Sequence, residues 1–151
     1  MMNGKPLLTN HGYFNLGTPR NPLNPFYTIA SGAGFNPLGD DYIDEGLGGL
    51  LATRGVEGAD EEMGKFKVPS LRNCAKTAPY MHNGVFADLK SVIAFYNTRD
   101  VPGAGWGPPE VDHANIFRDS HYGDLGLTDA EIDALVAFLE TFTDGYIEPG
   151  E

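Results

Sequence analysis

Residues 65–99 read KFKVPSLRNCAKTAPYMHNGVFADLKSVIAFYNTR, and the rest of the chain is read outward from this stretch. It holds six bases, Lys65, Lys67, Arg72, Lys76, Lys90 and Arg99, against one acid, Asp88. Asp88 has N-cap chemistry, and Leu89, Val92, Ile93 and Tyr96 follow it at the i, i+3, i+4, i+7 spacing of one apolar helix face. The spacing predicts a helix from Leu89 that Asn97 to Gly103 ends. The stretch carries +5 in a chain whose formal charge is −11, so everything outside it sums to −16. Two readings of that contrast stand side by side. It is an anion site for carboxylates or phosphates, or it pairs with the chain's own acidic flanks.

Toward the C-terminus, residues 100–151 hold twelve acids and a single base, Arg118. Residues 101–109, Val-Pro-Gly-Ala-Gly-Trp-Gly-Pro-Pro, read as loop. Thr128-Asp129-Ala130-Glu131 is a capping box, predicting a helix over 128–143 with an apolar stripe of Ile132, Leu135, Val136, Leu139 and Phe142. Asp144-Gly145 stops it. Toward the N-terminus, residues 54–64 read as an exposed acidic loop. Residues 40–52 suggest a short helix weakened by Gly46, Gly48 and Gly49. Residues 1–37 read as a loop-rich wrap, because Asn-Pro recurs at 21–22, 24–25 and 36–37 and each proline pushes its predecessor out of helical conformation. No alternating strand pattern exceeds four residues. The expectation is one mainly α domain over 1–151 with long irregular loops, and loops of that length imply that a cofactor or a neighbour supplies part of the core.

Composition excludes several classes. Glycine and proline fill 20 and 11 of the 151 positions, yet 41% apolar residues suffice for a core. One cysteine, Cys74, rules out an internal disulfide, a four-cysteine zinc site and a CxxC motif. It also rules out CxxCH attachment of a c-type haem by this chain alone, which needs two thiols. The acidic balance argues against nucleic acid or an anionic membrane as partner. No apolar run approaches the roughly 20 residues of a membrane helix. The start, Met1-Met2-Asn3-Gly4-Lys5-Pro6, lacks the apolar stretch of a secretion signal, so the chain is expected to be cytoplasmic, trimmed or a piece of something larger.

The segments Phe66-Lys67-Val68-Pro69-Ser70-Leu71-Arg72-Asn73 and Thr77-Ala78-Pro79-Tyr80-Met81-His82-Asn83-Gly84, with the helix through Tyr96-Asn97, resemble the C-terminal haem domain of the bacterial di-haem cytochrome c peroxidase family, including its MauG-type branch. Asn15-Leu16-Gly17 through Pro22 and Leu125-Gly126-Leu127-Thr128 resemble further pieces of that domain, in order. The resemblance implies a cytochrome c-like fold wrapped around haem, with the family's CxxCH expected ahead of residue 1. It implies a peroxidase or oxidase role using peroxide and long-range electron transfer. The implied partners are an N-terminal haem domain or another haem-bearing chain, and an electron-donor or substrate protein. The implied location is the periplasm.

The resemblance also assigns residues. The position fourteen after His82 is the distal haem ligand in the family, methionine in the peroxidases and tyrosine in the MauG-type branch; here it is Tyr96. A phenolate is a hard anionic donor that favours ferric and higher oxidation states. The other reading of Tyr96 is a tyrosine capping an apolar helix face. Arg72 matches a segment along the haem propionates and reads equally as a surface ion pair. The Thr77 and Pro79 carbonyls match those that hold an interdomain calcium, a site a lone chain is expected to fill poorly. His82 reads as an acid-base group near the haem or as a structural, hydrogen-bonded histidine. Met81 reads as a substitute ligand or as wall packing. Cys74 reads as a small buried hydrophobe. His11, His113 and His121 share no motif spacing. The alternative function is a haem-free remnant or interaction module with no activity of its own.

Overall fold

The computed structural model describes residues 6–29, 34 and 36–145. Residues 1–5, 30–33 and 35 of the expected N-terminal wrap lie outside the described residues. Three helices carry the regular structure: α1 (Gly46–Thr53), α2 (Leu89–Thr98) and α3 (Asp129–Glu140). A two-residue antiparallel pair, β1 (Tyr13–Phe14) with β2 (Phe66–Lys67), sets Phe14 opposite Phe66. The regular elements are thus mainly helical, while most of the described backbone is loop.

Helix α2 starts where its chemistry dictates. Asp88 is extended, and its carboxylate accepts the Ser91 N–H at 2.7 Å. In α3 the Thr128 side chain accepts from the Glu131 N–H while the Glu131 carboxylate accepts from the Thr128 N–H, a complete capping box. The apolar stripe of α3 is only partly used. Ile132 is buried and Val136, Leu139 and Phe142 are partly buried, but Leu135 is 39% exposed; Phe138, outside the stripe, is 55% exposed. Lys90 of α2 meets Asp133 of α3 at 2.6 Å.

The region 40–52 divides into a 3-10 turn at Gly39–Asp41 and α1. The acidic stretch that follows is mostly exposed, yet it includes a 3-10 turn, Ala59–Glu62, with Ala59 buried. Gly48 explains the packing: a Cβ there would stand 2.5 Å from the Met63 backbone, so only glycine lets the chain lie directly on α1.

The core is aromatic. Phe86, Phe95 and Tyr122 are its buried members, and Trp106 packs edge-on against Phe95 at 5.3 Å and Phe86 at 5.6 Å. Buried asparagines satisfy the loops around it. Asn97 donates to the Leu127 carbonyl at 3.0 Å and accepts the Leu127 N–H at 2.9 Å. Asn15 donates to the Val111 carbonyl and to Asn115, and Asn36, fully buried, donates to the Phe26 and Gly39 carbonyls. Irregular backbone can be buried here because side-chain amides replace the missing ladder bonds.

Candidate functional site

A cavity of about 600 Å³ opens between α2, the Val68–Leu71 strip, the Tyr80–His82 turn and Leu139 of α3. Its walls are largely aliphatic and aromatic, and its volume lies in the range of small-molecule and cofactor sites. One face of α2 provides the floor through Leu89, Val92, Ile93 and Tyr96, the residues whose spacing defines the helix in the sequence.

Tyr96 is the floor's polar end. Its hydroxyl makes no hydrogen bond among the described residues, and burial alone raises the phenol's pKa above its ordinary value. Its ring stands edge-on to Tyr122, centroids 4.5 Å apart and planes at 79°. Arg99 lies over the Tyr122 ring at 4.3 Å, and donates to the Leu16 carbonyl at 2.9 Å and the Phe117 carbonyl at 2.8 Å. Tyr122 is held strongly neutral. Burial pushes its phenol up, Tyr96 adds to that, and the Arg99 cation offsets only part of it.

The opposite side of the cavity carries a buried polar cluster. Glu110, its side chain 1% exposed, faces His82 Nε2 at 3.2 Å. Its carboxylate also accepts from the Asn83 amide at 2.9 Å and from the Tyr27 hydroxyl. Burial by itself raises a carboxyl's pKa, but these three partners pull Glu110 down to about 2. The His82 ring stacks on Phe66, centroids 3.7 Å apart and nearly parallel at 6°. The ring is therefore fixed by a carboxylate at one nitrogen and a phenyl face.

The structure brings Tyr96, His82, Met81, Thr77, Pro79 and Cys74 around one cavity. Met81 adopts φ +69 and packs against the aromatic core while lining the cavity wall. Cys74 is half-buried, and burial raises its thiol pKa, which keeps the sulfur protonated and unreactive. Arg72 stands elsewhere. It lines an adjoining groove with Lys67, Ser70 and His11, separated from the cavity by the strip Lys67–Ser70 that both share, and donates to the Pro6 carbonyl at 3.0 Å. Of the six bases in 65–99, Lys65, Lys90 and Arg99 pair with Glu62, Asp133 and Asp100. The local contrast in charge is thus divided between internal pairing and this groove. Thr77 and Pro79 sit exposed at the rim, and two carbonyls are fewer than the six to eight oxygens calcium takes. No group of three or more His, Cys, Asp or Glu is arranged to hold a metal ion among the described residues.

Sequence reasoning missed Glu110, Tyr27 and Tyr122. Glu110 follows Gly107-Pro108-Pro109 in an irregular stretch and Tyr122 lies at a turn, so neither belongs to a helical period. Asn83 stands one position after His82, but its role in closing the cluster depends on residues far away in the chain.

No protein-family model matches the chain. It is 47% identical over 151 residues to the methylamine utilization protein MauG of Paracoccus denitrificans (strain Pd 1222), covering 93% of this chain and 36% of MauG. It is 34% identical over 146 residues to the cytochrome-c peroxidase IdrP1 of Denitromonas iodatirespirans, covering 91% of this chain and 35% of that protein. Among solved structures, the diheme peroxidase BthA of Burkholderia thailandensis superposes with a TM-score of 0.65 at 30% identity, over 89% of this chain and 33% of BthA. A MauG-like protein associated with microbial copper homeostasis matches with a TM-score of 0.52 at 30% identity, over 95% of this chain and 37% of that one. The resemblance to the MauG and diheme peroxidase family therefore extends over nearly the whole chain, which spans about a third of the length of these relatives.

Proposed function

We infer that this chain, matching one third of MauG and of the diheme cytochrome-c peroxidases, is a haem-binding part of an oxidoreductase of that class. The observation that carries the inference is Tyr96: a phenol with no hydrogen-bond partner among the described residues, at the end of an apolar cavity of cofactor size. The donor set fits haem, because the cavity combines apolar walls that would suit a macrocycle with one phenol oxygen that could bind its iron. When bound, haem supplies the redox chemistry, with peroxide as the oxidant and electrons crossing by long-range transfer.

The residues of this chain have distinct tasks. Tyr96 would hold the iron through its phenol oxygen, and the positive charge of the metal would offset the burial that otherwise favours the protonated phenol. His82, anchored by Glu110 and stacked on Phe66, is held where its second nitrogen can keep or pass a proton at the cavity wall. Leu89, Val92 and Ile93 exclude water from the floor. Lys67, which lines both the cavity and the groove, suits a carboxylate of a haem edge, whereas Arg72 would meet one only where the haem edge reaches the groove. Two thioether bonds need two cysteines and this chain has one, so c-type attachment draws on residues outside it. Thr77 and Pro79 contribute two carbonyls to a calcium site whose remaining oxygens come from a partner domain. The partners are a second haem domain and an electron-donor or substrate protein, and the setting is the periplasm. No helix among the described residues is long and apolar enough to cross a membrane.

Adding haemin to the purified chain tests the reading. A Soret band saturating at one haem per chain is expected, and Tyr96→Phe is expected to shift the ferric absorption and electron paramagnetic resonance (EPR) spectra. A folded chain, shown by circular dichroism, that develops no Soret band refutes it.

A further inference from the structure

We propose that Tyr122, seated edge-on against Tyr96 and braced by Arg99, is a positioning residue that sets the plane of the Tyr96 ring inside the cavity; the proposal rests on the reading of Tyr96 as a ligand. Helix α2 fixes where the Tyr96 side chain leaves the backbone, but the torsion that turns a phenol ring is broad and two-fold. Neighbours must choose the plane. Tyr122 meets the Tyr96 ring at 79° with centroids 4.5 Å apart, the edge-to-face geometry that ring quadrupoles favour.

Tyr122 can do this because it is itself held from several sides. Its hydroxyl approaches the Leu16 carbonyl at 3.4 Å. The Arg99 guanidinium lies over its ring at 4.3 Å. The next residue, Gly123, donates its N–H to the Tyr96 carbonyl at 2.7 Å, and the Gly123 carbonyl accepts the Asp100 N–H at 2.8 Å. Arg99 is equally constrained, 6% exposed at its side chain and bonded to the Leu16 and Phe117 carbonyls. Tyr96, Arg99 and Tyr122 therefore close a ring of contacts anchored at the C-terminal end of α2, with Tyr96 in its last turn and Arg99 as its C-cap. A phenolate bonds a metal directionally through one oxygen, so the ring plane governs overlap and the resulting spectrum. A structural role alone would alter stability and leave that spectrum unchanged.

The test uses the full chain loaded with haemin, with circular dichroism as the check of fold. Tyr122→Leu is expected to move the ferric absorption and EPR spectra toward those of Tyr96→Phe at unchanged haem stoichiometry. Tyr122→Phe, which keeps the edge contact, is expected to retain the wild-type spectra. Should Tyr122→Leu not fold, Arg99→Met leaves Tyr122 present but unbraced and is expected to broaden the EPR signal. Wild-type spectra in a folded Tyr122→Leu or Arg99→Met chain, with Tyr96→Phe distinct, overturn the proposal. If Tyr96→Phe is itself indistinguishable from wild type, the ligand reading has failed instead. The haem-free chain then decides the positioning: Tyr122→Leu is expected to speed Tyr96 ring flips in aromatic NMR, and an unchanged flip rate overturns it.

Discussion

Replacing Glu110 by glutamine removes a charge from a site that solvent cannot reach while keeping the side chain's size. The native carboxylate accepts hydrogen bonds from His82, Asn83 and Tyr27, and its pKa falls from 4.5 to about 2. A depression of that size corresponds to about 3 kcal/mol of native-state stabilisation at neutral pH. The sign follows from the direction of the shift. The folded carboxylate is more acidic than the unfolded one, so its contribution is complete above the unfolded value and disappears as pH falls through the folded value. Wild type is therefore expected to exceed Glu110→Gln by about 3 kcal/mol in urea unfolding at pH 7. The gap is expected to narrow below pH 4.5 and nearly vanish by pH 2. Measuring the difference between the two proteins isolates Glu110 from the chain's other acids, which titrate in both. A gap under about 1 kcal/mol at pH 7, or one that stays constant from pH 6 to pH 2.5, refutes the account of a buried, three-fold solvated carboxylate.

Two further changes probe the scaffold. Gly48→Ala gains about 1 kcal/mol of helix propensity but drives a Cβ to within 2.5 Å of the Met63 backbone, so a net loss of about 1–2 kcal/mol is expected in urea unfolding, and a gain contradicts the packing of α1. Asp88→Ala removes the acceptor for the Ser91 N–H, with an expected loss of about 1 kcal/mol at neutral pH. Because that hydrogen bond lowers the Asp88 pKa, the loss is expected to shrink as the carboxylate protonates below pH 4, which parallel urea titrations at pH 7 and pH 3 would show.

The parts of this protein that local chemistry specifies were legible in its amino acids. Asp88 and the Leu89–Tyr96 stripe define α2, and Thr128 with Glu131 defines the start of α3, because caps and helical periods involve residues three or four positions apart. The same stripe carries Tyr96 to the cavity floor. The α3 stripe is covered except at Leu135, which remains 39% exposed, since an apolar spacing says which residues share a face and nothing about what covers it. Arg72 shows a different limit. Its neighbourhood in the sequence is that of the cavity wall, but the strip Lys67–Ser70 has two sides and Arg72 lies on the groove side.

The amino acids alone determined α2 and α3, their N-caps and the phenol at position 96. Tertiary structure decided that Glu110 meets a tyrosine 83 positions away and a histidine 28 away, and that Tyr122 closes against Tyr96 through Arg99. The division has a physical reason. A cap or a helix face is stabilised by neighbours along the backbone, so its pattern repeats at a fixed period. A buried carboxylate is stabilised by whichever donors the folded loops bring to it, and no spacing in the chain records that meeting.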